Sequence, residues 1–156
     1  MGLSVELLRS LFESKLIDAG ERKGEFWMIV RGEDLVSVIE PLRAHPDLKF
    51  DWFVDLCGVD NLGKRPRFET VIHLYSMDYG QRLRIRCLVP DESLTVPSLT
   101  PFWSAANWQE REAYDMYGIR FQGHPNLERI LTPPGTEDFP QRKDYPLRGS
   151  RETKED

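Results

Sequence analysis

Residues 67–89, RFETVIHLYSMDYGQRLRIRCLV, decide the fold. Two runs rich in β-branched and aromatic residues flank a short polar break with Asp78, Tyr79 and Gly80, so 67–76 and 82–89 read as the arms of a β-hairpin. On the second arm Leu83, Ile85, Cys87 and Val89 alternate with Arg82, Arg84 and Arg86. Side chains two apart share a face of a strand, so one face is apolar and the other carries a basic stripe. That stripe reads either as a solvated face with Glu69 offsetting some charge, or as a docking surface for an acidic partner. Only a sheet with one covered face needs such a pattern.

Upstream, Leu3, Leu7, Leu8, Leu11, Phe12 and Leu16 recur at helical spacing and predict an amphipathic helix over 3–16. Gly20 and Gly24 bracket a turn, and EFWMIV (25–30) reads as a short strand. GEDLVSVIEPLRAH (32–45) predicts a second helix with Leu35, Val38, Ile39 and Leu42 on one face, bent or ended by Pro41. Apolar residues alternate from Phe50 through Trp52, Val54 and Leu56 as a half-buried strand, with GVDNLGKRP (58–66) as a loop. Downstream, a helix over 103–117 stops at Gly118, a residue that tolerates the left-handed cap. The order α-β-α-β-β-β-α predicts an α+β fold: a small mixed β-sheet with helices packed on one face, followed by an extended C-terminal arm. Residues 1–147 are expected to form a single domain, with 142–147 as a docking arm. Residues 148–156 are expected to be a polar flexible tail.

Composition narrows the function classes. A formal charge of −5 argues against free-standing nucleic-acid binding, which needs a basic field to displace counterions. No apolar run approaches the roughly 20 residues that span a bilayer. Two cysteines, Cys57 and Cys87, are too few to ligate an iron–sulfur cluster or a structural zinc unaided and read as packed, reduced thiols. The chain reads as one that stays in a reducing cytoplasm. The three histidines, at 45, 73 and 124, show no ligand spacing.

The charges concentrate in NWQEREAYDMYGIRFQGHP (107–125), with Glu110, Arg111, Glu112, Asp115 and His124 among four aromatic side chains. Two readings compete: an active site, or a buried polar clamp. On a helix, Ala105, Trp108, Glu112 and Met116 fall on one line, so Glu112 is expected to be buried and bound by an arginine distant in sequence. Arg129, Arg142 and the 82–86 stripe are its candidate partners. Arg111 and Asp115 are spaced to pair along the helix. Glu110 and Glu112 point apart, so they do not form a glycosidase pair. His124 between Gly123 and Pro125 reads as a turn histidine. RKDYPL (142–147) reads as a subunit-docking arm with Tyr and Arg anchors, or as an ordinary domain-closing arm.

WQEREAYDMYGIRFQGHPNLERIL (108–131) followed by RKDYPL resembles the signature of the C subunit of NADH:quinone oxidoreductase, respiratory complex I. The residues that carry it include Glu110, Arg111, Glu112, Asp115, Gly118, His124, Pro125 and Arg129, and then Arg142, Lys143, Asp144, Tyr145, Pro146 and Leu147. EDFPQ stands where relatives often have Gly-x-Pro-Leu ahead of Arg-Lys-Asp. The resemblance implies a hydrophilic scaffold component of a proton-translocating complex, with structural and interface roles for these residues. It implies no catalytic, metal or cofactor site on this chain; NADH, FMN, iron–sulfur clusters and quinone belong to other subunits. Implied partners are the quinone-site D subunit and the cluster-bearing B subunit of complex I. The implied place is the cytoplasmic side of the bacterial inner membrane, reached only through the complex. The equivalent subunits of photosynthetic NDH-1 and of membrane-bound hydrogenases carry similar signatures. From a different class, a stand-alone hydrolase using Glu112 and Asp115 remains the alternative.

Overall fold

The computed structural model describes residues 2–149. Five strands form one mixed sheet in the order β1 (Leu16–Arg22), β2 (Glu25–Arg31), β5 (Gln81–Leu88), β4 (Phe68–Ser76), β3 (Trp52–Asp60). Only the central β2–β5 pair is parallel. Helices α1 (Val5–Phe12) and α2 (Leu35–Ala44) bury Leu8, Phe12, Val38, Ile39 and Leu42 against Met28, Ile72, Leu83 and Ile85 of the sheet. Helix α3 (Ala106–Tyr117) lies against β3, and its Gln109 side chain accepts the Leu56 N–H. A two-stranded parallel ribbon, β6 (Thr95–Pro97) with β7 (Arg120–Gln122), frames α3. The α+β class and the covered face agree with the reading from sequence.

Several elements differ. The first helix ends at Phe12, and Leu16 begins β1, a strand absent from the expected order. The turn lies at Lys23–Gly24, where both residues take positive φ, 56° and 83°. This is the conformation a two-residue β-hairpin requires. Gly20 sits inside β1, where a β-carbon would meet the Trp27 indole at 2.6 Å. Pro41 does not end α2. The helix runs on to Ala44 with Leu42 fully buried, so core packing holds the last turn.

The alternation at 50–56 also breaks. A bulge between Phe53 and Asp55 turns Phe53 and Leu56 inward and leaves Trp52 and Val54 outside, with Trp52 58% exposed. Residues 58–60 continue β3. Cys57 is exposed and only Cys87 is buried, where burial pushes its thiol up to about 12. The Leu83–Ile85–Cys87–Val89 face is buried as expected.

Candidate functional site

Helix α3 positions the charged cluster. Its inward face is set by Ala106, Glu110, Ala113 and Met116, spaced four, three and three. Small residues at 106 and 113 let the helix approach β3 closely, and at its end the Tyr117 ring lies where a side chain on Gly58 would be. The expected face is therefore rotated. Glu112 is exposed, and the buried carboxylates are Glu110 and Asp115. Trp108, the bulkiest residue of the expected stripe, is 62% exposed and stacks on Arg111. Hydrophobic size favoured the wrong face.

Glu110 accepts the Leu99 N–H and the Ser98 hydroxyl, each at 2.6 Å. Both donors belong to the chain leaving β6, so this carboxyl fixes the ribbon to the helix. Burial pushes its pKa up to about 7, and the two donors offset only part of that. His124 is the titratable group facing it, Nε2 3.9 Å from Oε2. The His124 ring is itself held at both ends: Nδ1 accepts the Asn126 N–H, and Nε2 lies 3.2 Å from the Asn107 carbonyl. These partners select the neutral tautomer protonated at Nε2.

Asp115 sits in a nest of donors. Its Oδ2 accepts the successive N–H groups of Ile130, Leu131 and Thr132 at 2.7–3.0 Å. Its Oδ1 accepts the Thr132 hydroxyl at 2.5 Å and Arg129 Nη1 at 2.9 Å. Burial alone would raise its pKa, but these hydrogen bonds more than offset that and hold the carboxyl well below the usual carboxylate range. The expected Arg111–Asp115 pair does not form. Arg111 donates instead to the carbonyls of Glu128 and Arg129. Arg129 binds Asp115, not Glu112, and also the Asp138 carbonyl. Pro125 lies in the exposed bend after His124.

Gly118 caps α3 at φ 80°, its N–H bonded to the Tyr114 carbonyl. A β-carbon there would lie 2.7 Å from the Arg142 guanidinium and 2.9 Å from the Phe139 ring. Gly118→Ala combines a left-handed alanine with that clash, so its melting temperature should fall by the equivalent of about 1–3 kcal/mol. An unchanged melt would show that Phe139 and Arg142 move aside freely.

Residues 142–144 fold back on their own domain. Arg142 Nε donates to the Tyr117 carbonyl and its guanidinium lies between the rings of Phe139 and Phe68. The Lys143 N–H donates to Asp60, and Asp144 pairs with Arg67 at 2.7 Å. Arg67 in turn makes two 2.8 Å bonds to the buried Asp60. This Asp60–Arg67–Asp144 triad was not anticipated; the charges closing the β3–β4 hairpin, Asp60 and Arg67, were its only sign in the sequence. Of the expected docking arm, Tyr145 is half-buried, and Pro146 and Leu147 project into solvent. Residues 150–156 of the expected tail lie outside the described residues.

The segment 107–132, with its helix, left-handed stop, histidine turn and nest, lies inside a longer match to a known family. Residues 28–151 match the description "Respiratory-chain NADH dehydrogenase, 30 Kd subunit". The chain belongs to this family. It is 48% identical to the second C-type subunit of NADH-quinone oxidoreductase from Rhizobium meliloti (strain 1021), over 90% of this chain and 77% of that protein. It is 45% identical to the C subunit from Roseiflexus sp. (strain RS-1), over 92% of this chain and 82% of the relative. Among solved structures, the trypsin-resistant fragment of Nqo5 superposes with a TM-score of 0.68 at 30% identity, covering 78% of this chain and 97% of that one. A chain of the membrane-bound sulfane sulfur reductase, an archaeal respiratory membrane complex, shares the fold: TM-score 0.74, 20% identity, 91% of this chain and 85% of the other.

Members of this family are subunits of an enzyme complex, so this chain partners other subunits of NADH-quinone oxidoreductase. Among the described residues no helix is long and apolar enough to cross a membrane. No group of three or more His, Cys, Asp or Glu among them is placed to hold a metal.

Proposed function

We propose that this chain is the hydrophilic scaffold component of a proton-translocating NADH:quinone oxidoreductase, bracing the quinone-site D subunit and the cluster-bearing B subunit. It performs no bond chemistry and binds no cofactor itself. NADH, FMN, iron–sulfur clusters and quinone sit on its partners. It lies at the cytoplasmic side of the membrane, held there through the complex.

One observation carries the structural half of this reading. Every polar group of the signature that is buried already serves this chain's own backbone. Glu110 holds 98–99, Asp115 holds 130–132, His124 bridges 107 and 126, and Arg111 holds 128–129. A general acid or nucleophile needs a face open to substrate. Here Glu110 and Asp115 have none: both are buried and hydrogen-bonded within the chain, while Glu112 lies on the exposed side of the helix. The hydrolase reading on Glu112 and Asp115 therefore loses its geometry, since one is outside and the other is fully saturated.

The test is recovery of the tagged chain from gently solubilised membranes, with co-purified proteins identified by mass spectrometry. Recovery of NADH-oxidising, cluster-bearing and quinone-site subunits together supports the assignment. Recovery with hydrogenase or ferredoxin-linked subunits would keep the scaffold and change the electron donor. A chain isolated alone would defeat it.

A further inference from the structure

The sheet has a second face that none of the three helices covers. Strand register lays its outward residues in rows. One row runs Gly20, Trp27, Arg84, His73, Asp55 across all five strands. The row beside it includes Arg82, Tyr75 and Trp52. On the other side lie Ile29, Arg86, Val71 and Cys57.

The composition of this face is that of an interface centre. Trp, Tyr and Arg are the side chains over-represented among residues that dominate binding energy. The Trp27 indole lies over Gly20 of β1, which has no side chain to displace it. Trp52 and Val54 are turned out by the β3 bulge, and both are exposed. The face is therefore built to leave aromatic surface in water.

Its charge is unlike that of the chain. Around the depression on this face stand Arg22, Lys23, Arg82, Arg84 and Arg86, against Asp18 and Glu25, with Asp55 at the far end of the His73 row. The whole chain has a formal charge of −5. Asp18 is already paired with Arg9, and Arg86 with the buried Glu69. Among the described residues, Arg82 and Arg84 have no carboxylate partner. Arg82 lies over the Tyr75 ring, and Arg84 spends one N–H on His73 Nε2, which must be unprotonated to accept it. Burial and the Arg84 charge lower the pKa of His73 and keep it in that form.

The geometry points to an acidic, extended segment of another component of the same complex as the occupant of this face. Its carboxylates pair with Arg82 and Arg84, and its apolar side chains lie on Trp27 and Trp52. Trp27 and Trp52 stand on strands three spacings apart, about 14 Å, which about four extended residues span and a small anion does not. A second copy of this face would bring Arg82 and Arg84 against like charges. This inference rests on the complex-subunit reading above and names the chemistry of one partner surface.

The experiment compares the isolated chain with the intact complex purified from membranes. Oxidative footprinting of Trp27 and Trp52 should slow by about tenfold in the complex, as for residues at the dry centre of an interface. A photo-crosslinking residue at position 29 should attach, within the complex, to a peptide of another component carrying several Asp or Glu. R82E/R84E should weaken incorporation by about tenfold, and reversing the charges of the crosslinked peptide should restore it. Both arginines are exposed, and a circular dichroism spectrum and melt matching wild type would show the variant folded. Full reactivity of Trp52 in a complex that retains the chain would overturn this inference and leave the scaffold reading standing. A crosslink to a second copy, or to lipid, would overturn it equally. Failure of the chain to co-purify with the complex would remove both.

Discussion

Asp115→Ala is expected to destabilise the folded chain by about 3–5 kcal/mol, the cost of leaving a buried charge partner unmatched. The alanine strands Arg129, the Thr132 hydroxyl and three successive backbone N–H groups at once. Residues 126–142 contain no helix or strand, so their order depends on these bonds. The denaturation midpoint should drop, and limited proteolysis should cut first between 126 and 142. Asp115→Asn should fare little better, because its amide would confront the guanidinium or the N–H nest with a donor. A wild-type midpoint for Asp115→Ala would sink the clamp. Because the folded pKa of Asp115 is depressed, its contribution is complete above the ordinary value of 3.8 and disappears as pH falls through the folded value.

Glu110 has the opposite sign. Its folded pKa is raised from 4.5 to about 7. Its favourable contribution is therefore complete below pH 4.5, declines as pH rises from there to about 7, and is flat above. The difference across that window is about 3 kcal/mol at most. Glu110→Gln can still accept the Leu99 N–H and donate to Ser98, so it should fold, match the wild type near pH 4 and exceed its stability at pH 8. Glu110→Leu should be the poorer protein at both, because it leaves the Ser98 hydroxyl and Leu99 N–H buried without a partner, at about 1–3 kcal/mol. Urea denaturation of the three chains at pH 4, 6 and 8 separates these outcomes. Parallel pH profiles for wild type and Glu110→Gln would mean that Glu110 is not the group that takes up the proton.

Much of this is legible in the sequence. Period-two alternation identified the central hairpin, because a strand with one buried face leaves a strict record. The stop at Gly118 was legible because few residues besides glycine accept that conformation without strain. Strand β1 was missed because LIDAGER has no alternation: it is an edge strand, and only Ala19 is buried. The α3 face was misjudged because Trp108 advertises burial more loudly than Ala106 and Ala113, and the helix buries the alanines to reach the sheet. The sequence places the buried carboxylate at Glu112, a fraction of a turn from Glu110 and Asp115, which the helix buries. No local pattern announces that an aspartate will accept three amides from residues fifteen to seventeen positions later.

The ties of the C-terminal quarter share a direction. Arg129 reaches back to Asp115, Arg142 to the carbonyl of Tyr117, the Lys143 amide to Asp60 and Asp144 to Arg67. Each later segment closes on one made earlier. A ribosome delivering this chain from its N-terminus thus presents every anchor before the piece that needs it. Residues 126–149, which contain no helix or strand, can settle residue by residue as they emerge.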